Sequence, residues 1–219
     1  MEGDAGEITR IERQKSGLPR YNIHIDGTYR FSVHEDVLVR FALSKGMKVD
    51  REEIGRILAG EEQNKVRQSA LRYLGYRPRT VREVELYLTA KGYERDPIRQ
   101  VITEMKNQGF LDDRQFAEAW VEERRGRKGY GILALKRELE RKGIPPEIAE
   151  DVLSRVDEEE ERKLARETAE KRYRRLAGEP WPKVERRLGQ YLLRRGFEPS
   201  LVYGLLHEFR MRHGEEERG

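Results

Sequence analysis

From Asn64 onward, apolar and polar residues form a pattern that returns three times around a central glycine. Each glycine stands between a basic residue and a large apolar residue, and successive glycines lie 51 and 53 positions apart. Self-similarity at a nearly fixed period is typical of repeated supersecondary units. The three segments are Lys91-Gly92-Tyr93, Lys142-Gly143-Ile144 and Arg195-Gly196-Phe197.

The apolar residues around each glycine have helical spacing. They stand four and eight positions before it and nine, ten and thirteen positions after it, so each set shares one helical face. A glycine between two such faces can adopt the left-handed conformation that ends a helix. In the three repeats these residues are Val84, Leu88, Val101, Ile102 and Met105; Leu135, Leu139, Val152, Leu153 and Val156; and Leu188, Leu192, Leu205, Leu206 and Phe209.

Each repeat is therefore predicted to contain three helices. Prolines stand near the start of each third helix, where they are tolerated. Thr80 and Glu83 have the spacing of a capping box, and Asp113 is a candidate cap for the first helix of the second repeat. The predicted helices span 63–75, 80–91 and 96–108; 113–126, 131–142 and 146–156; and 158–177, 182–195 and 199–211.

The first sixty residues follow a different pattern. Residues 21–25 and 28–33 alternate apolar and polar positions on either side of Asp26-Gly27, which predicts a β-hairpin. Residues 8–11 are a candidate strand, and two short helices are expected at 36–44 and 50–58. Because an isolated hairpin is marginal in water, these helices are expected to cover its apolar face.

The predicted fold is mainly α. Three tandem three-helix modules form an elongated array in which neighbouring modules complete each other's cores, and a small β-hairpin and helix unit precedes them. The predicted boundaries are 1–60 for the N-terminal unit, 61–111, 112–157 and 158–213 for the three modules, and 214–219 for an acidic tail.

Composition favours thin helical modules over one large core. Hydrophobic residues make up 36% and charged residues 39% of the chain, above the usual charged share of roughly 25%. The 45 basic and 41 acidic residues are mixed, and with the regular apolar spacing this argues against disorder. Cysteine is absent, which excludes disulfides and thiolate zinc sites. A polar start and the lack of a long apolar run predict a soluble, cytoplasmic protein.

Basic residues are concentrated in a few places, although the net charge is only +4. Arg77-Pro78-Arg79-Thr80 leads into a predicted helix, and guanidinium groups beside a helix start suit phosphate or carboxylate. Residues 124–130 combine cations, glycines and a tyrosine, which suits a nucleic-acid backbone or an acidic protein groove. A further basic stretch covers 162–175, and for every cluster a solvated, ion-paired helix face is the alternative. The candidate contact residues are Arg77, Arg79, Arg124, Arg125, Arg127 and Lys128.

No catalytic constellation is found in the sequence. The histidines have no partner at metal-ligand spacing and are predicted to lie on the surface. The glycines between 126 and 131 form no phosphate-binding loop. Trp120 and Tyr191 are predicted to pack in the core. The sequence thus predicts a binding protein with no catalytic residues, metal or cofactor. The four histidines are His24, His34, His207 and His213.

Three stretches of the chain together carry a resemblance to a known family. The first holds Arg77-Pro78-Arg79-Thr80, Leu88 and Lys91-Gly92-Tyr93; the second holds Gly109-Phe110-Leu111-Asp112-Asp113, Phe116-Ala117 and Trp120; the third holds Lys128-Gly129-Tyr130-Gly131, Leu135, Glu138-Leu139 and Lys142-Gly143-Ile144. In this combination they resemble the RecX family, strongly over 64–156 and more loosely to Phe209. The extension at 8–58 is similar to that of longer family members. The third module departs most, with Glu179-Pro180-Trp181-Pro182 where the first has Arg-Pro-Arg-Thr.

The resemblance implies three tandem three-helix modules, each distantly like a helix-turn-helix. It also implies a partner, RecA assembled on single-stranded DNA. Family members lie in the groove of that filament, bridge its subunits and restrain its growth, ATP hydrolysis, strand exchange and co-protease activity; some also bind DNA directly.

The chain is therefore predicted to be a monomeric regulator of the RecA filament, with direct contact to single- or double-stranded DNA left open. One alternative is a helix-turn-helix-type DNA-binding protein that acts without RecA, against which the modest net charge argues. Another is a structural scaffold for a different protein.

Overall fold

The computed structural model describes residues 6–15 and 17–216, and that part of the chain contains ten helices and four strands. The polar start at 1–5 and the last residues of the predicted acidic tail, 217–219, lie outside the described residues. The chain divides into two compact units. The first comprises Met1–Pro78 and Val84–Phe110, and the second comprises Arg79–Glu83 and Leu111–Gly219.

The first unit begins with an antiparallel sheet. Its strands are β1 (Gly6–Arg13), β2 (Arg20–Ile25), β3 (Thr28–His34) and the two-residue β4 (Lys48–Val49), in the order β3-β2-β1-β4. Asp26 and Gly27 both have positive φ, 50° and 79°, as a tight two-residue hairpin turn requires. The predicted hairpin is confirmed, and the strand expected at 8–11 is the centre of β1.

Two helices cover the apolar face of this sheet, as expected. Helix α1 (Glu35–Arg40) and helix α2 (Arg51–Leu74) pack on it around a core that includes Ile23, Val33 and Ile57, each at most 1% exposed. The hairpin is thereby shielded from water on one side, which supplies the burial that an isolated hairpin lacks.

Helix α2 corrects the expectation of separate helices at 50–58 and 63–75. The two are one continuous helix, which begins with a complete capping box between Asp50 and Glu53. Gly60 lies within this helix, and its lack of a side chain lets the ring of Phe41 pack against it; a β carbon at Gly60 would lie 2.6 Å from that ring. Gly60 is therefore a close-packing position within a helix.

Helices α3 (Val81–Ala90) and α4 (Arg95–Asn107) follow in the positions predicted for the first module. The first turn of α3 belongs to the segment assigned to the second unit, and the remainder belongs to the first. Val84, Leu88 and Val101 are fully buried, as their spacing predicts. The predicted boundaries between modules stay a prediction.

The second unit contains the six helices predicted for the second and third modules: α5 (Asp113–Lys128), α6 (Ile132–Lys142), α7 (Pro146–Ser154), α8 (Glu158–Tyr173), α9 (Trp181–Arg195) and α10 (Pro199–Glu216). Each module has its own core, and the residues four and eight before the repeat glycine are fully buried in both. Gly92, Gly143 and Gly196 have φ of 85°, 76° and 85°, which confirms the predicted left-handed helix ends. The prediction of three three-helix modules is confirmed.

Of the two helix caps predicted from the sequence, the one at the start of α3 is confirmed and the one at the start of α5 is wrong. The Thr80 hydroxyl accepts from the Glu83 N–H at 3.1 Å and the Glu83 carboxylate accepts from the Thr80 N–H at 3.3 Å, so the capping box is confirmed. Asp113 is not the cap of α5; Asp112 is, accepting from the N–H groups of residues 114 and 115. Asp113 instead accepts from the Val81 N–H at 2.9 Å, a contact that sequence spacing does not reveal.

The third module differs most from prediction at its ends. Helix α8 stops at Tyr173, four residues early, and α10 continues to Glu216 into the predicted tail. The expectation that all histidines lie on the surface is wrong for His213, which is 2% exposed. Its Nδ1 lies 2.9 Å from the buried Tyr173 hydroxyl, and this hydrogen bond offsets the cost of burying the ring.

Candidate partner-binding groove

The second unit contains an open groove of about 1100 Å³ between the C-terminal end of α5 and helices α8 and α9. Cations dominate its lining, and concave sites lined by one sign of charge concentrate ligands of the opposite sign. The groove therefore suits a phosphate-bearing or carboxylate-bearing partner. Its cations are Arg125, Arg127, Lys128, Lys163, Lys171, Arg194 and Arg195, and its carboxylates are Glu160 and Glu167.

Two glycines shape the end of the groove at α5. Gly129 ends the helix with φ 61°, and Gly131 is the N-cap of α6. A β carbon at Gly129 would lie 2.8 Å from the hydroxyl of Thr168, so the absence of a side chain lets this turn approach α8 closely. On α8, Lys163, Glu167 and Lys171 follow at four-residue intervals and line the opposite wall.

A buried carboxylate holds α5, α6 and α8 together beside the groove. Glu161, 6% exposed, accepts from the Ile132 N–H at 3.0 Å and pairs with the Arg125 guanidinium. Because the N-cap residue Gly131 makes no side-chain cap, Glu161 takes that role at the positive end of the α6 dipole. The groove is therefore bounded by a fixed junction of two modules.

The end of α9 docks on the start of α6 in the same region. The N–H of Gly131 donates to the Arg195 carbonyl at 2.8 Å, and the N–H of Leu133 donates to the Gly196 carbonyl at 3.0 Å. A β carbon at Gly196 would overlap the backbone of Ala134. Only glycine fits such an approach, so this position is required both for the helix end and for the contact.

Two tyrosine rings lie among the cations of the groove. The Arg195 guanidinium carbon is 5.5 Å from the ring centre of Tyr130 and 5.0 Å from that of Tyr191. Lys128 Nζ is 5.6 Å from the Tyr130 ring. These distances are within the range of cation–π attraction. Tyr191, predicted to be a core residue, packs against the core of the third module and also lines the groove.

The predicted cluster at 124–128 separates into inward and outward residues. Arg124 is 15% exposed, its Nε is 3.0 Å from the Glu138 carboxylate, and its guanidinium lies 3.9 Å from the Trp120 ring centre. Arg125 is 14% exposed and engaged by Glu161. Arg127 is 81% exposed, and its pairing with Glu123 at 3.6 Å is a surface contact. Trp120 packs against the core of the second module, as predicted.

Arg77 and Arg79 do not line this groove. Arg77 is exposed, and its guanidinium donates to the Pro78 carbonyl at 3.4 Å. Arg79 is partly buried in the segment assigned to the second unit. Of the six predicted contact residues, the structure brings Arg125, Arg127 and Lys128 together in the groove.

Four groove cations are absent from the predicted contact residues. Lys163 and Lys171 lie within the basic stretch at 162–175, and their spacing of two helical turns is the signal that selects them from it. Arg194 and Arg195 precede the repeat glycine, where a cation also stabilises the end of a helix, so the pattern alone does not indicate a binding role. Their place in the groove depends on the packing of the end of α9 against the start of α6, and a local sequence pattern does not predict that contact.

Ion pairs in the third module hold carboxyl groups in their charged form. A hydrogen bond from Arg212 holds the pKa of Glu170 below its ordinary value, although partial burial acts in the opposite direction. A hydrogen bond from Lys183 lowers the pKa of Glu179 in the same way. Both groups are therefore ionised at neutral pH and bind cations instead of exchanging protons.

Among residues 6–15 and 17–216, no group of three or more His, Cys, Asp or Glu side chains is placed to hold a metal ion. Within the same ranges, no helix combines the length and apolar character that crossing a bilayer requires.

Comparison with protein families gives four matches that follow the architecture. A regulatory protein RecX N-terminal domain matches residues 6–50. The first, second and third three-helix domains of RecX match residues 67–105, 112–153 and 158–206.

Individual relatives and solved structures agree with these matches. A regulatory protein RecX from Bacillus licheniformis is 36% identical over 201 residues, covering 92% of this chain and 76% of the relative. One from Halalkalibacterium halodurans is 35% identical over 214 residues, covering 96% and 80%. A crystal structure of regulatory protein RecX superposes with a TM-score of 0.78 at 30% identity, covering 93% of this chain and 99% of that one. RecX from Lactobacillus salivarius gives a TM-score of 0.64 at 26% identity, covering 69% and 99%.

Proposed function

The chain belongs to the RecX family, and from that membership we propose that it regulates the RecA recombinase assembled on single-stranded DNA. Binding restrains filament growth, and with it ATP hydrolysis, strand exchange and co-protease activity. The observation that carries the proposal is the match of all four RecX domains, in order, along the chain.

The basic groove of the second unit supports this proposal. A RecA filament on DNA presents phosphates and protein carboxylates in a regular series, and cations in a concave site attract either group. Several modules that each bind weakly gain affinity together, because the first contact raises the effective concentration of the next. This mode of action requires binding surfaces and no catalytic step.

The proposed contacts follow from exposure and pairing. Arg127, Lys128, Lys163 and Lys171 are exposed cations of the groove and contact the filament directly. Arg124 and Arg125 are held by Glu138 and Glu161 and support the groove wall from within. Arg77, exposed in the first unit, is proposed as a further contact, and Arg79, partly buried in the second unit, as another.

Titration of the protein into RecA on single-stranded DNA tests the proposal, with ATP hydrolysis and strand exchange as readouts. Inhibition that saturates is expected. Lys163→Glu combined with Lys171→Glu is expected to raise the half-inhibitory concentration by about tenfold or more, since two cation contacts are reversed. The control Lys106→Glu combined with Arg186→Glu makes the same charge change at exposed residues outside the groove. No effect of saturating protein on either activity would contradict the proposal.

The density of cations in the groove also favours a second candidate, nucleic-acid binding that does not involve RecA. This function predicts tight binding to naked duplex with a steep salt dependence. Duplex binding without any change in RecA activities would select this candidate over the first.

A further inference from the structure

Two junctions in the second unit are built in the same way. Thr80, twelve residues before Gly92, donates its hydroxyl to the Lys142 carbonyl at 2.8 Å. Gly131, twelve residues before Gly143, donates its N–H to the Arg195 carbonyl at 2.8 Å. In both junctions the acceptor is the basic residue that precedes a repeat glycine. The start of one middle helix therefore docks on the end of the next.

The glycine and the basic residue each have a role in this docking. A β carbon at Gly143 would overlap the side chain of Arg82, and one at Gly196 would overlap the backbone of Ala134. Lys142 Nζ lies 2.6 Å from the carboxylate of Glu83, in the first turn of the docked helix. At Lys142-Gly143 the end of the receiving helix thus supplies a carbonyl oxygen, a surface free of side chains and a cation.

The first module has the same helix end at Lys91-Gly92. Among the described residues of its own unit, no helix start docks on that end. Gly92 has φ 85°, the value of Gly196. Within the first unit, no described atom beyond its chain neighbours comes within 4 Å of a β carbon built at Gly92. Among the described residues, no hydrogen bond reaches the Lys91 carbonyl oxygen.

The Lys91 side chain is exposed to a partner, and its ammonium group lies near an aromatic ring. It is exposed, with Nζ 5.7 Å from the ring centre of Tyr87. That ring is stacked on Tyr73 with centres 4.0 Å apart, so the aromatic surface under the ammonium group is fixed. The carbonyl, the bare glycine and the cation that receive a helix at Lys142-Gly143 are all present at Lys91-Gly92.

We infer that the Lys91–Gly92 end of α3 is a docking site for the first turn of an α-helix from another protein. A backbone N–H or hydroxyl of that turn donates to the Lys91 carbonyl, and a carboxylate of the same turn pairs with the Lys91 ammonium group. The docked helix belongs to a RecA subunit, an assignment that rests on the proposed function.

Docking of a second copy of this chain through the start of its α3, α6 or α9 is disfavoured. Pro180 and Pro182 have no N–H to donate, and Val184, twelve residues before Gly196, is buried inside the helix. The starts of α3 and α6 are already docked within the second unit.

Gly92→Asn tests the site, because asparagine tolerates the left-handed backbone while its side chain fills the docking space. The matched control is Gly109→Asn, at φ 76° and likewise without a described atom within 4 Å of a built β carbon. Gly92→Asn is expected to weaken binding to RecA filaments about tenfold relative to this control, through loss of the docked turn. Lys91→Ala is expected to weaken it about threefold, while Lys106→Ala, near the end of α4, leaves it unchanged.

The outcomes separate this site from the proposed function. Equal binding by wild type, Gly92→Asn and Lys91→Ala overturns the docking site and leaves RecA regulation standing; failure of the wild type to bind filaments overturns both. If circular dichroism shows that Gly92→Asn has lost helicity, its weaker binding reports on folding and not on docking. The effect of Lys91→Ala on filament binding then tests the docking site. Carbodiimide cross-linking of the wild-type complex, mapped by mass spectrometry, is expected to join Lys91 to a first-turn carboxylate of a RecA helix. A link to a second copy of this chain would overturn the inferred occupant.

Discussion

Glu161 and Ile132 are joined across two modules by a hydrogen bond of 3.0 Å from the Ile132 N–H to the Glu161 carboxylate. Asp113 accepts from the Val81 N–H in the corresponding way at 2.9 Å. In both cases the first helix of one module caps the middle helix of the module before it. Helix ends that depend on the neighbouring module couple the stability of the two modules.

Replacing Glu161 is expected to be far more costly than its place in a run of acidic residues suggests. Glu161→Ala leaves the Arg125 guanidinium, 14% exposed, without its carboxylate and removes the cap of α6. We expect a loss of about 3 kcal/mol in the free energy of unfolding, measured by urea denaturation. Glu160→Ala, at the preceding exposed position, is the control and is expected to change it by less than about 0.5 kcal/mol. Equal effects of the two substitutions would contradict a structural role for Glu161.

The close approach at Gly196 predicts a difference between two glycines of similar backbone conformation. Gly109→Ala adds a β carbon at φ 76° in open space and is expected to cost about 1 kcal/mol of strain. Gly196→Ala adds the same strain at φ 85° together with an overlap on Ala134, and is expected to cost about 2 kcal/mol more. Thermal unfolding of both variants measures the difference. A Gly196 variant as stable as the Gly109 variant would mean that α9 does not dock on α6 this closely.

Adjacent leucines on α9 test the repeat pattern itself. Leu192, four residues before the repeat glycine, is 0% exposed, whereas Leu193 is 39% exposed. Leu192→Ala is expected to lower the free energy of unfolding by about 3 kcal/mol through cavity formation, and Leu193→Ala by less than about 1 kcal/mol. Guanidinium denaturation compares the two, and similar losses would show that the assigned helix face is wrong.

The ion pair between Glu170 and Arg212 predicts a specific dependence on pH. Because Arg212 lowers the pKa of Glu170 in the folded state, the pair stabilises the fold fully above the unfolded-state pKa of roughly 4.3. The stabilisation is lost as pH falls through the lower folded-state pKa. The midpoint of thermal unfolding should therefore differ between wild type and Glu170→Gln at neutral pH, and the difference should shrink below about pH 4.

The size of this effect is limited by solvent screening, since Glu170 is 26% exposed; we expect less than about 1 kcal/mol. Glu167→Gln removes a carboxylate from the same helix and serves as the control. A difference between wild type and Glu170→Gln that persists unchanged at pH 3 would exclude the ion pair as its source.

The sequence predicts the repeated helices well because their signal is local. Leu88, Leu139 and Leu192 are buried at equivalent positions, and the glycine that follows each has the predicted positive φ. Helical spacing and a left-handed helix end depend on neighbouring residues only. The boundaries of most helices therefore agree to within a few residues.

The deviations occur where distant residues decide the structure. Gly60 lies within a continuous helix where Phe41 packs against it, and Asp113 accepts from the N–H of Val81 instead of capping its own helix. Arg124 is held by Glu138 from the next helix, which a cluster of basic residues does not reveal. His213 is buried because Tyr173, forty residues earlier, provides its hydrogen bond. None of these partners lies within a helical turn of the residue concerned.

The two prolines at the start of α9 have a consequence for protein engineering. A module inserted between residues 157 and 158 would follow the second module and precede the third. The start of α6 could dock on the repeat glycine of the inserted module, and the middle helix of the inserted module could dock on Gly196. A module attached through the start of α9 would meet Pro180 and Pro182, neither of which has an N–H, and a buried valine. Duplication of the central module is thus favoured over growth through the third as a route to a longer chain of modules.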